Sequence, residues 1–195
     1  MSVRGPYAKG VAKRAEILAA ALEIIGRDGY SKATVRELAD AVGLSPNGVL
    51  HYFGSKEALL TAVVQARDVR AHRQDGPPSP ESVVNGYPAF IAASAEVPGL
   101  IQLFSRLANE ATESGHSSHQ YFADRYGALR GLWTGVFAEF ARMGRLRPGQ
   151  DPEVLATMLI ALTDGLQTQW LYDPTVDMPA AVAEFFRMVD AGRSA

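Results

Sequence analysis

Residues 34–60 read TVRELADAVGLSPNGVLHYFGSKEALL, and this stretch decides the fold. Thr34, followed three residues later by Glu37, makes a capping box. The threonine hydroxyl accepts an early helical N–H while the glutamate reaches back to the threonine amide. A helix therefore starts at Val35, with Val35, Leu38, Ala39 and Val42 as its apolar face. Gly43 ends it, because a residue without Cβ takes the left-handed conformation of a helix stop easily. Leu44 plugs the turn. Ser45 then caps a second helix whose first position is Pro46, where no amide is missed. Two helices joined by so short a turn leave the second able to enter a DNA major groove. A helical hairpin with no DNA role would share some of these signals, so the flanking sequence carries weight.

The chain has 195 residues, 47% apolar and 21% charged, the make-up of a globular protein with a full core. No apolar run approaches about eighteen residues and no secretory leader is visible, so a cytoplasmic location without a membrane partner is expected. The absence of cysteine excludes disulfides and thiolate metal sites. A net charge of −2 looks wrong for a DNA binder until it is divided: residues 1–75 sum to +3 and residues 76–195 to −5. The first fourteen residues hold Arg4, Lys9, Lys13 and Arg14 and no acid. Such basic arms reach phosphates or a minor groove, although a merely solubilising tail has the same composition. Gly5, Pro6 and Gly10 predict that the arm is disordered without DNA.

The pattern is helical almost throughout, about nine helices with no period-two alternation. Ile17, Leu18, Ala21, Leu22 and Ile25 stripe a first helix over 11–26, closed by Gly26, Asp28 and Gly29, with Tyr30 packing back beneath the module. Ser55 caps a longer helix from Lys56 to about Arg73. DGPPSP at 75–80 cannot continue a helix and marks a boundary. Further helices are predicted near 81–95, 98–113, 117–143, 152–172 and 178–191. The fold class expected is all-α, a three-helix DNA-binding module followed by a helical bundle. The functional division is 1–54 for the basic arm and helix-turn-helix and 55–195 for the rest, with helix 55–73 linking them.

The basic arm, the amphipathic first helix, the helix-turn-helix and HYFGSKEALL together resemble the TetR family of bacterial transcriptional repressors. The close resemblance covers about residues 11–64; beyond it only helical architecture and phrases such as TDGLQTQWLYDP at 163–174 match. The resemblance implies a homodimer that binds double-stranded operator DNA, with a small-molecule pocket and a dimer interface in the C-terminal bundle. Arg36 matches a position that reaches a base edge, where a guanidinium can bind guanine in bidentate fashion. Ser45, Pro46, Asn47, Gly48 and His51 are the small or polar positions that can approach the groove, and Asn47 could read adenine or hold a phosphate. Thr34 joins these candidates. Where relatives carry a tyrosine this chain has Leu50, which cannot bond the backbone; His51 and Tyr52 are the candidates to replace it. Val49 and Phe53 are expected to face the module's core. Lys56 matches a lysine whose ammonium, with the free amides of its helix, can clamp one phosphate. The far end of that helix (Val63, Val64, Arg67, Arg70) is expected to approach the bundle.

For the pocket, the candidates are Phe104, Leu107, Asn109, Trp133, Phe137, Gln167 and Trp170, with Gln169 as a further polar group; most aromatics of this region simply fill a core. Few cations lie here, so a neutral or weakly charged effector is expected, the alternative being that Arg106, Arg125 or Arg130 points inward. The seam candidates are Leu155, Met158, Leu159, Leu162 and Leu166 on one helix and Val182, Phe185, Phe186 and Val189 on the next, an ordinary internal core being the alternative. No catalytic constellation, phosphate loop or nucleophile elbow is present, so neither an enzyme nor a cofactor is expected. His116 and His119, with Glu113, could in principle hold a metal, but ESGHSSHQ reads as a loop entering a helix, and no metal is expected. An architectural DNA-binding protein without an effector, or a regulator answering to a protein partner, remains the rival reading.

Overall fold

The computed structural model describes residues 6–71 and 79–193. Arg4, the side chain of Arg70 and residues 75–78 of the proline-rich break lie outside the described residues. Among the described residues nine α-helices follow one another: α1 Pro6–Asp28, α2 Val35–Ala41, α3 Pro46–Phe53, α4 Lys56–Ala71, α5 Pro80–Ala95, α6 Pro98–Glu110, α7 His119–Arg142, α8 Pro152–Tyr172 and α9 Met178–Val189. Short 3-10 turns cover Tyr30–Lys32 and Ala191–Arg193. Among the described residues there is no β-strand beyond an isolated bridge, Leu146 with Asp190.

Helix starts follow the caps. Ser79, Asp151 and Asp177 each accept a first-turn N–H, and each is followed within two residues by a proline. One boundary differs from expectation. α1 begins at Pro6 and runs through Gly10, so Lys9 belongs to a helix and not to an irregular arm. Proline is at home in a first helical turn, and one interior glycine costs only about 1 kcal/mol against alanine.

The chain divides into two compact units, Met1–Arg73 with Val97–His119, and Gln74–Glu96 with Gln120–Ala195. In the first, α1 packs against α2, α4 and α6, α2 against α3, and α4 against α6. Its core is built on Ile17, Ala21 and Ile25 of α1, Leu38 of α2, Val49 of α3, Leu59 and Val63 of α4 and Ile101 of α6, all at most 1% exposed. Val63 and Val64 are thus core residues of this unit. α6 is held by a close approach: Gly99 is buried against the backbone of Ile25 in α1 and of Gly29 just beyond its end.

The second unit packs α5 and α8 against α9. Aromatic rings bring α7 into this core: Trp133 lies 4.8 Å from Tyr87 and 5.7 Å from Phe186, and Phe137 6.3 Å from Phe185 (centroid distances). Arg145, after α7, closes the unit at one end. Its guanidinium pairs with Asp190, which is fully buried, and with Glu81 at 2.9 Å, while lying 4.1 Å over the Phe140 ring.

Candidate nucleic-acid interface

The helix-turn-helix forms as its sequence dictates. The Thr34 hydroxyl accepts from Glu37 N–H at 3.2 Å, and the Glu37 carboxylate accepts from Thr34 N–H at 3.1 Å and from the Thr34 hydroxyl at 3.0 Å. At the other end Gly43 has φ 65°, Leu44 N–H bonds the Ala39 carbonyl at 2.9 Å and Gly43 N–H that of Asp40 at 3.4 Å. That is the Schellman pattern of a glycine-stopped helix. Ser45 Oγ accepts from Gly48 N–H at 3.1 Å and starts α3.

This scaffold sorts the candidate side chains. Arg36, Pro46, Asn47 and His51 are exposed, as are Lys9 on α1 and Lys56 at the start of α4; Gly48, Leu50 and Tyr52 are half-buried. His51 and Tyr52 meet edge to face at 5.9 Å. Val49 is buried and Phe53 half-buried. Thr34 and Ser45 are exposed, yet both hydroxyls already serve caps. The Thr34 hydroxyl proton is donated to Glu37 and reaches a phosphate only by giving up that bond, whereas the Ser45 proton has no acceptor among the described residues.

Lys56 sits in the first turn of α4, beneath the Ser55 cap, where Ser55 Oγ accepts from Ala58 N–H at 3.0 Å. Glu57 shares that turn, and its own backbone N–H and the Ser55 hydroxyl hold its carboxyl below the usual range. An anion arriving at this helix end meets one carboxylate already there.

Two braces had no signal in the sequence. Lys13 Nζ donates to the Val42 carbonyl at 2.8 Å, capping the C-terminal end of α2, and pairs with Glu16 at 2.9 Å. The Arg14 guanidinium lies 4.7 Å over the Phe53 ring at the end of α3. Two cations of the basic stretch therefore hold the motif's own helices, and their partners are too far along the chain for any local pattern to reveal. α4 is tied in a similar way: Thr61 Oγ1 is 2.5 Å from the buried Ser118 hydroxyl and also donates to the Glu57 carbonyl at 2.8 Å. His116 Nδ1 accepts from Ser118 N–H at 3.2 Å and His119 Nδ1 donates to the Ala111 carbonyl at 2.8 Å, so both imidazoles shape the turn between α6 and α7.

The pocket candidates fall in different units. Phe104 and Leu107 are buried in the first, where Asn109 is exposed with its amide on the Ser105 carbonyl at 2.7 Å. Trp133, Phe137, Gln167 and half-buried Trp170 belong to the second. Of the seam candidates, Leu155, Leu159, Leu166, Val182, Phe185, Phe186 and Val189 are buried in their own unit, Leu162 is half-buried, and Met158 is 52% exposed. A different set faces outward: Val154, Met158 and Tyr172 on α8 and Met188 on α9, each more than half exposed. On α8 this face continues through Ala161, Gly165 and Thr168, spaced three and four apart.

A capped helix-turn-helix with exposed polar side chains on its second helix, in an all-helical chain, defines the helix-turn-helix transcriptional regulators. Within that class the chain belongs to the TetR family. Residues 17–63 match the model described as bacterial regulatory proteins, tetR family, and residues 118–191 that of the BetI-type transcriptional repressor C-terminal region. The chain is similar to the transcriptional regulator RutR of Escherichia coli, 37% identical over 162 residues, or 78% of this chain and 72% of RutR. It is also similar to the regulatory protein RaaS of Mycobacterium tuberculosis, 30% identical over 178 residues, or 88% and 78% of the two chains. Its fold matches that of a TetR-family regulator from Agrobacterium tumefaciens with a TM-score of 0.72 at 19% identity, covering 93% of this chain and all of the other. The family and these relatives are transcriptional regulators, not enzymes. No described helix is long and apolar enough to cross a membrane.

Proposed function

We propose that this chain represses transcription by binding a pseudo-palindromic operator as a homodimer, and that a small molecule releases it. The observation that carries the reading is the exposure of Arg36, Asn47 and His51 on a motif whose helices are fixed by caps and by Lys13 and Arg14. Arg36 and Asn47 read base edges; Ser45, His51, Lys9 and Lys56 hold phosphates; Pro46 and Gly48 allow close backbone approach; Tyr52 supports His51. Arg4 extends these contacts from the N-terminal arm. Residues 1–54 form the DNA-binding part and 55–195 the effector and dimer part, with α4 as the link. Its first turn carries Lys56, and one turn on Thr61 bonds Ser118, so a shift of that segment moves the Lys56 end.

A twofold dimer places its recognition helices about 34–36 Å apart, one DNA turn, or a multiple of it. A ligand that binds better to another spacing releases the DNA by its differential affinity and by nothing else. The dimer uses the outward face of Val154, Met158 and Met188, together with Leu162; the buried members of the seam set support that face from behind. Fluorescence anisotropy with operator DNA tests the reading: salt-sensitive, sequence-selective binding supports it, and indifference to sequence refutes it. Sedimentation of Met158→Glu tests the seam. The variant should run as a monomer, and an unchanged dimer would exclude this face.

A further inference from the structure

Every side chain of α3 but one has an evident place. Val49 is buried in the core of its unit, and Asn47 and His51 are exposed on the opposite side of the helix. The Phe53 ring lies beneath the Arg14 guanidinium, and Tyr52 meets His51 edge to face. Pro46 fills the first helical position, opened by the Ser45 cap. Leu50 is left. It is half-buried on the shoulder of the helix, about 60° round from Asn47 and nearly one turn further along.

A leucine side chain has no donor and no acceptor, so it can neither hold a phosphate nor read the polar edge of a base. In a major groove the one apolar group on a base edge is the C5-methyl of thymine. The spacing is also suitable. Asn47 and Leu50 are about 4.5 Å apart along the helix axis, against roughly 3.4 Å between successive base pairs. An amide able to bond adenine N6 and N7 therefore stands beside an apolar group within reach of the same base pair or its neighbour. Burying one methyl-sized group is worth about fourfold in affinity.

We propose, building on the reading of the chain as an operator-binding repressor, that Leu50 is a specificity-determining residue: it packs on the C5-methyl of a thymine in each operator half-site, at the base pair read by Asn47 or the next one. The contact separates thymine from every base that lacks the methyl. It carries no charge, so it adds preference without adding to the salt dependence that Lys56 and the other cations create. In a twofold dimer it is made twice, once by each subunit.

The test uses the full chain and the duplex it enriches from genomic DNA, with thymidine replaced by deoxyuridine at one position at a time, symmetrically in both half-sites. Uracil pairs as thymine does and lacks only the methyl. Anisotropy titration should find one position, at or beside the pair whose preference Asn47→Ala relaxes, where the replacement weakens binding about fourfold for each half-site and about fifteenfold for both. The loss should be the same at low and at high salt. Leu50→Ala should bind the thymine and uracil duplexes within about twofold of each other, while Leu50→Met, which keeps the apolar volume, should keep most of the difference. If Leu50→Ala melts below the assay temperature, Leu50→Gln, close in volume and polar at its tip, takes its place. A flat uracil scan, a loss only at thymines away from the Asn47 pair, a loss that changes with salt, or one undiminished in Leu50→Ala would each overturn the inference. If a site is bound selectively while the uracil scan is flat, this inference alone falls; if no site is selected, the repressor reading falls and this one with it.

Discussion

Replacing Gly99 with alanine should loosen α6 from α1. A Cβ there would meet the Ile25 carbonyl oxygen at under 3.0 Å, with Ile25 Cγ2 at 3.0 Å and the Gly29 Cα at 3.1 Å. Two of these three neighbours are backbone and cannot swing aside, so the helices must part. Overpacking a tight contact costs about 1–3 kcal/mol, and the gain in helix propensity is small in the first turn of α6, so a net loss of about 2 kcal/mol is expected. For a chain of this size that lowers Tm by roughly 4–8 °C. The assay is thermal unfolding followed by circular dichroism, read together with operator affinity. α6 and α4 pack in the same unit, so Gly99→Ala should also weaken operator binding at a temperature where the variant is folded. A variant that melts with the wild type and binds operator equally would refute the close-approach argument.

Three further outcomes follow from the same contacts. Arg145→Ala strips the buried Asp190 of its guanidinium and, because the arginine keeps 24% of its surface exposed, should cost about 3 kcal/mol by urea unfolding; a loss below about 1 kcal/mol would show that the pair only decorates the surface. Lys56→Ala should weaken binding to all DNA sequences alike and reduce the log–log salt slope by about 1, and an unchanged slope would remove the phosphate clamp at α4. Burial pushes the Asp164 carboxyl above its ordinary 3.8, so the folded state holds the proton more tightly there. Stability from this group therefore falls as pH rises from 3.8 through the raised value and is flat above it, and Asp164→Asn should gain on the wild type across that window; parallel pH curves would contradict the shift.

The N-terminal module was legible because its signals are local. Thr34 with Glu37, Gly43, Ser45 with Pro46 and Ser55 each fix a boundary within four residues, and the structure places the helix ends where they point. α6 shows the limit: its pattern marks a helix, but its membership of the first unit rests on Gly99 meeting Ile25, some seventy residues away. α8 shows another. Leu155, Leu159 and Leu166 face inward while Val154 and Met158 face outward, so the helix is apolar on two sides. A hydrophobic period reports a face only when the opposite side is polar. Trp133 and Gln167 appeared among the pocket candidates by residue type. That the indole N–H of one and the amide oxygen of the other lie buried, with no hydrogen-bond partner among the described residues, emerges only once the core has been packed around them.

Selection of bound fragments from genomic DNA, followed by anisotropy titration of the enriched site across a salt series, tests the central claim most directly. The account predicts a pseudo-palindromic site bound at least a thousandfold more tightly than unrelated DNA, of the order typical for specific recognition, with Asn47→Ala relaxing the preference at one position in each half-site. Equal affinity for selected and unrelated DNA, or a selected site without twofold symmetry, would contradict it.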